Sequence, residues 1–398
     1  MTPADGARRL PRMPGTPREG LRNDDVAEKA PELRHLDLLD EPWRVRGQGR
    51  RFEAVREAAH ALRKVVAAGP RLLSVRTLPL VRAPYGTKFA FRGAAWSPAP
   101  LVLVDHRCLL VQFMQGGVPK TLLFNPTDLH GARSTPYFAR IEATTPKLVA
   151  EMLSPPFPTL EAQLGDLGIR VEDVDYLAFD HFHVQDLRPT MGTVDGRLAA
   201  RFPRAKLLAP RVEWDDWAHL HPVQRAFYVA DGRTGVQTSR VVFTDSDLVL
   251  GDGVYLVRTP GHTSGNQTLF LATDRGVWGC SENGVAADSW SPIDSTIAGL
   301  KQYARHNDVD LILNLNTPES GADQYTSMTL ERLVVDRVAR APAFVQMFPS
   351  SELTPSAIAP GLTPTLRFER ITIGEVLAPA AAASNHPMGR LATEQHVA

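Results

Sequence analysis

The chain has 398 residues, of which 43% are hydrophobic and 22% charged, the make-up of a soluble globular protein with length for one large or two ordinary domains. Lysine plus arginine and aspartate plus glutamate both number 44, so the formal net charge is zero, which argues against capture of nucleic acid by broad electrostatic attraction. Two cysteines, Cys108 and Cys280, do not make a disulfide framework, and no apolar run is long enough to span a membrane.

The chain opens on "MTPADGARRLPRMPGTPREG", which has arginines but no apolar stretch behind them, and so reads as a leader in a cytoplasmic protein rather than a secretory signal. Residues 1–50 are rich in Pro, Arg and Gly without a sustained period, which predicts disorder or an arm lying on the partner subunit of a homodimer. Phe52 to Ala68 has apolar residues at helical spacing and is closed by Gly69-Pro70, giving an N-terminal helix within 51–71. From Leu72 the pattern changes to short β-type runs, "LLSVRTLPLV", "KFAFRG", "PLVLVDHRCLLVQF" and "KTLLFN". A helix is predicted over Thr159 to Leu167, and then the apolar strand Tyr176 to Phe179. "AKLLAP", "RVVFTD", "GVYLVR", "NQTLFLAT", "RGVWGCSEN" and "DLILNLNTPES" read as further strands, with helices at "TIAGLKQYARHN" and "SMTLERLVVDRVAR". The main domain is therefore placed at 72–340. The Pro- and Ala-rich remainder, 341–398, reads as a partly disordered extension carrying one strand-like stretch, "TLRFERITI". Strands that come first in a run and then mix with helices indicate a layered α/β domain.

The chemistry concentrates at strand ends. In "DYLAFDHFHVQDLRPTMG", His181 and His183 lie one residue apart at the end of an apolar strand, and an extended chain puts both imidazoles on one side. Neutral imidazoles so placed can share one cation such as zinc, iron, copper or nickel. In "TPGHTSGNQTLFL", Gly261 and Gly265 flank His262 between two apolar strands and allow a tight turn that presents a third imidazole. "VWGCSENG" ends an apolar strand on Glu282, and "LILNLNTPES" ends on Asn314 and Asn316. Cys280 and Cys108 read as core. His219 and His221 have no apolar strand before them and read as surface. Trp214, Trp217, Phe227 and Tyr228 read as packing residues that could alternatively wall a pocket, and Asp288 is a weak backup ligand.

Taken in order, these pieces resemble the metallo-β-lactamase superfamily over roughly Leu72 to Arg340, and "DGVYLVRTPGHTSGNQTLFL" is most similar to its acyl-homoserine-lactonase branch. The resemblance implies a four-layer αββα sandwich with metals at one edge of two sheets. It also implies that 72–340 is the catalytic domain. The family pattern His-x-His-x-Asp-His stands here as His181-Phe182-His183-Val184-Gln185-Asp186, so Gln185 replaces the family's Asp and Asp186 its last His. The bridging Asp corresponds to Glu282, and the final His falls near Asn314 or Asn316. The first metal position keeps His181, His183 and His262, with Glu282 available. The second keeps oxygen ligands only, Asp186 and Glu282 with Gln185 or an Asn, and is either empty or held by a harder metal.

The resulting expectation is a hydrolase that uses a metal-activated water on a lactone, ester or related small molecule. Zinc is the expected metal, with iron or manganese as alternatives, in one site or two. Asp186 is expected to be a ligand or the general base; the alternative is that it caps the turn that follows. Two other readings stay open: a non-heme iron oxygenase on the same scaffold, and a non-catalytic member that has lost its metal.

Overall fold

The computed structural model describes residues 24–145 and 157–379. Two sheets lie face to face. The smaller has six strands in the order β1 (Arg34–Leu36), β8 (Asp247–Gly251), β9 (Val254–Arg258), β10 (Gln267–Thr273), β11 (Gly276–Ser281) and β14 (Met347–Pro349). The larger has eight. Seven run β16 (Thr372–Gly374), β2 (Ser74–Gly86), β3 (Leu101–Gln115), β4 (Val118–Phe124), β5 (Tyr176–Ala178), β6 (Lys206–Pro210) and β7 (Val241–Thr244); the eighth, β15 (Ser351–Thr354), pairs with β3. β12 (Arg337–Val338) and β13 (Ala341–Val345) form a separate ribbon.

Alternation along the strands explains the layers. Leu109, Val111 and Phe113 of β3 meet Leu256 of β9 and Leu269 and Leu271 of β10 in the core between the sheets. The opposite face of the smaller sheet, through Val257, Phe270 and Val277, packs on Val55, Ala59, Leu62 and Val66 of a helix at Gln48–Ala68 and on Met328, Leu330 and Val334 of a helix at Gly321–Val334. The outer face of the larger sheet, through Leu110, Leu123 and Leu177, packs on Leu160 and Leu164, Leu187 and Met191, and Trp214 of three further short helices. The layer order is αββα, as the sequence led us to expect.

The first long helix ends where the sequence closes it, with the Gly69 N–H donating to Val65 O at 3.0 Å ahead of Pro70. Thr159 caps the helix Leu160–Asp166 by accepting the Ala162 N–H at 3.2 Å. Three expectations change. "KFAFRG" forms a short helix, Thr87–Ala90, rather than a strand. The stretch ending on Asn314 and Asn316 joins no sheet; Ile312, Asn314 and Leu315 donate to Ser289, Asn283 and Phe89 in loops and a short helix. The last long helix begins earlier, at Gly321, and stops at Val334, because Asp336 is held by Arg63 and by the Val277 N–H.

The outer boundaries also differ. Residues 24–50 are structured rather than a disordered leader: β1 pairs antiparallel with β8, Val26, Ala30 and Leu33 enter the core between the sheets, and Lys29 Nζ reaches Val241 O at 2.9 Å. The extension expected from 341 carries β14 and β15, one strand of each sheet, so 340 is not a domain boundary. The leader residues 1–23 and the tail from 380 lie outside the described residues. No helix among the described residues is long and apolar enough to cross a membrane.

Candidate metal centre

β5 is a central strand of the larger sheet, and the chain leaving it bends at Asp180 and turns at His183, carrying His181, Phe182 and His183 at the strand's end. Phe182, between the two histidines, stacks on Trp217 with ring centroids 5.4 Å apart. The turn that follows is tight: Val184 has φ 59, a left-handed conformation rare for a β-branched residue, and its N–H is held by Phe227 O at 2.7 Å. His262 sits in the turn between β9 and β10. Both flanking glycines are required there. A Cβ on Gly261, at φ 145, would lie 2.3 Å from Gln324 Cα, and one on Gly265 would lie 2.4 Å from Glu213 Cβ.

These segments bring the three imidazoles together. Their candidate ligand nitrogens all lie within 4.8 Å of one another, and the ring centroids are 4.6, 4.7 and 4.9 Å apart. All three are buried. The hydrogen bonds fix which nitrogen of each ring faces inward. His181 Nδ1 meets Asp180 Oδ1 at 2.7 Å, and His262 Nδ1 meets Asn314 O at 2.9 Å; both partners only accept, so each Nδ1 carries the proton. His183 Nε2 faces Gln224 Oε1, and that amide is oriented because its Nε2 donates to His262 O at 3.0 Å and Thr317 Oγ1 at 2.7 Å. In the neutral rings the remaining lone pairs are therefore on His181 Nε2, His183 Nδ1 and His262 Nε2.

The last two nitrogens are 3.2 Å apart. Two lone pairs facing each other at that distance repel unless a proton or a cation lies between them. Ligands about 2.0–2.1 Å from one tetrahedral zinc ion stand roughly 3.3 Å from each other, so the spacing fits a shared cation. The polar partners behind each ring are those that orient imidazole ligands in metal sites. Electrostatics agree for His183 and His262. Burial, followed by the neighbouring His181 and His262, holds His183 well below the usual histidine range. Burial and His181 push His262 down to about 3. Burial also disfavours charge on His181, but the adjacent Asp180 carboxylate outweighs it and the net shift is upward.

Three residues that the sequence reading did not single out shape the site. Asp180 also accepts from Asn125 Nδ2 at 3.1 Å and from Ser350 Oγ. Glu213, fully buried, accepts from the Phe182 N–H at 2.7 Å, Tyr228 Oη at 2.6 Å and Thr263 Oγ1 at 2.9 Å, and so ties the two histidine segments together. Gln224 bridges His183 and His262 as described. The signal available in sequence was weak: Glu213 lies in "RVEWDD", which looks like a solvated helix face.

The other expected ligands are not in the histidine group. Glu282 directly follows β11 and is buried, but its Oε2 accepts the Ser351 N–H at 2.9 Å and its Oε1 lies 3.4 Å from Asn314 Nδ2. Burial and the Asp180 charge push its pKa up to about 8. Gln185 donates to Thr127 Oγ1 at 3.0 Å, and the side-chain oxygens of Asn314 and Asn316 both lie 2.8 Å from Tyr85 Oη. Asp288 accepts from Ser295 Oγ at 2.6 Å, and Cys280 and Cys108 are core residues. His219 and His221 are exposed.

Asp186 has the capping arrangement rather than the ligand one. Its Oδ1 accepts the Arg188 N–H at 3.1 Å and Arg188 Nε at 2.8 Å, its Oδ2 accepts Arg188 Nη2 at 2.7 Å, and the helix Leu187–Met191 begins on it. Asp186→Asn keeps the cap and weakens the ion pair. It is expected to cost about 1 kcal/mol of stability in urea denaturation and to leave metal content unchanged. Loss of metal in that variant would restore Asp186 as a ligand.

No family model matches the chain, and no curated protein matches it. Among solved structures, the chain is similar to a quorum-quenching N-acyl homoserine lactone lactonase, at 16% identity over 62% of this chain and 92% of that one, with a TM-score of 0.39. It is also similar to a hydrolase described as in the beta lactamase superfamily, at 15% identity over 78% and 98% of the two chains, TM-score 0.41. A dizinc quorum-quenching lactonase matches at 14% identity over 78% and 99%, TM-score 0.43. At these TM-scores the likeness adds nothing to what the layer order and the histidine geometry show.

Proposed function

We propose that this chain is a metallohydrolase of the metallo-β-lactamase type, with one zinc ion held by His181, His183 and His262. The observation that carries the reading is the convergence of three oriented lone pairs, two of them 3.2 Å apart. Zinc in such a site supplies Lewis-acid polarisation of a carbonyl and activation of water near neutral pH. The chain's own residues do the rest. Asp180, Gln224 and the Asn314 carbonyl keep each ring in the ligating tautomer. Phe227 and Tyr228 pack against His183, with ring centroids 5.3 and 5.0 Å away, and hold the ring in place.

The substrate class we take is a lactone or related ester. The resemblance of "DGVYLVRTPGHTSGNQTLFL" to the lactonase branch supports it. So does an aromatic wall beside His183: Tyr85, Phe89, Tyr137 and Phe227 make mutual ring contacts and would receive an apolar acyl group. The iron oxygenase reading drew on a carboxylate-rich second position, and the partners of Asp186 and Glu282 remove that support.

Elemental analysis of protein purified without added metal tests the proposal. The expected result is about one zinc per chain, with turnover of acyl lactones in which KM falls as the acyl chain lengthens. Iron in place of zinc, or no metal in folded protein, overturns it.

A further inference from the structure

A cavity of about 850 Å³ lies away from the histidine centre and shares no residue with it. It is lined from β2, β3 and β15 of the larger sheet, from β11 of the smaller, and by the segment 367–373. Its charge is unlike that of the chain. Overall the charges cancel, yet six arginines and only three carboxylates line this one space.

The carboxylates are already taken. Asp105 holds Arg82 through two contacts of 2.6 and 3.0 Å, Glu352 pairs with the buried Arg107 at 3.3 Å, and Glu369 pairs with Arg367 at 3.1 Å. Arg275, Arg340 and Arg370 are exposed and have no carboxylate partner among the described residues. The first two touch only the backbone carbonyls of Thr372 and Arg367, at 3.4 and 2.8 Å. Two further donors in the lining, Trp278 Nε1–H and Arg367 Nε–H, are buried with no acceptor among the described residues. Trp278 packs edge-on to Phe368, with ring centroids 5.6 Å apart, so one wall is aromatic.

We propose that this cavity is a second binding site, for a small phosphate ester that carries a flat apolar group. The free guanidiniums offer forked donors to the phosphate oxygens, and the Trp278–Phe368 wall offers a surface for the ring. Arg107 lines the cavity, while the neighbouring His106 bonds Ser351 Oγ at 3.0 Å, and the Ser351 N–H holds Glu282.

Isothermal titration calorimetry of the protein as purified, with adenosine monophosphate, inorganic phosphate and adenosine as probes, tests this. The nucleotide should bind saturably at one per chain, more tightly than phosphate, and adenosine should not bind. Removing three charge-assisted contacts in Arg275→Ala/Arg340→Ala/Arg370→Ala should weaken nucleotide binding by about 100-fold or more, with the fold checked by circular dichroism. His262→Ala should leave nucleotide binding unchanged, which separates this site from the metal centre. Equal binding by the triple variant, loss of binding in His262→Ala, or the absence of saturable nucleotide binding would each overturn the proposal. Inorganic phosphate binding as tightly as the nucleotide would overturn the organic ligand and leave an anion site only.

Discussion

Replacing His262 with alanine is expected to abolish stable metal binding while the chain still folds. Two imidazoles would remain where a zinc site needs three or four protein ligands. Affinity for zinc should fall by more than about 100-fold, the upper end of what losing a residue behind a ligand costs, and hydrolytic activity should fall with it. The fold should survive because the backbone partner of His262 is not stranded: Asn314 O also accepts from Gln324 Nε2 at 2.6 Å. Thermal unfolding gives an independent reading. A ligand that binds only the native state stabilises it by about 4 kcal/mol at a thousand times its dissociation constant. Added zinc should therefore raise the melting temperature of the metal-depleted wild type, and leave that of the variant unmoved. A variant that keeps a full equivalent of zinc would place the metal elsewhere.

The parts of this centre that could be read from sequence are those that local geometry dictates. His181 and His183 stand one residue apart at the end of an apolar strand, and His262 stands between two glycines that no other residue can replace. Period and spacing are enough for those. Apart from Asp180, which adjoins His181, the residues that hold the rings and their segments come from far along the chain: Glu213 is 31 residues from Phe182 and 50 from Thr263, and Gln224 is 41 residues from His183. Nothing in the local pattern of "RVEWDD" separates a buried clamp from a solvated carboxylate, because burial there depends on where the loops of two sheets meet. Asp186 shows the reverse case, where the sequence offered both a ligand and a helix cap. Its place in a family motif suggested chemistry, while the local rule that Asp begins helices describes what it does. The ends of the fold were misread for a related reason. β1, β14 and β15 span three or four residues each, too short for any period to show, and only their pairing with distant strands makes them part of the sheets.

Glu213→Ala should be the most damaging change outside the three ligands. The side chain is fully buried and is the acceptor for three donors at once: the Phe182 N–H, Tyr228 Oη and Thr263 Oγ1. Phe182 lies between two of the imidazoles, and Thr263 follows the third. Alanine leaves all three donors buried without an acceptor, at about 1–3 kcal/mol each, so a loss of several kcal/mol in urea denaturation is expected. The same loss frees the two histidine segments to move relative to each other, and zinc affinity of the folded protein should fall about 10–100-fold. Glu213→Gln separates geometry from charge. Its amide oxygen can still accept from Phe182 and Tyr228, and its NH2 group can donate to Thr263, whose hydroxyl rotates to accept. The glutamine variant should therefore bind zinc within about tenfold of wild type, with any small deficit reflecting the loss of a buried negative charge close to the cation. Zinc titration against a competing chelator, performed below the denaturation range of each variant, measures this directly. If Glu213→Ala is destabilised but its folded form binds zinc as tightly as wild type, Glu213 is a core residue and has no part in positioning the imidazoles.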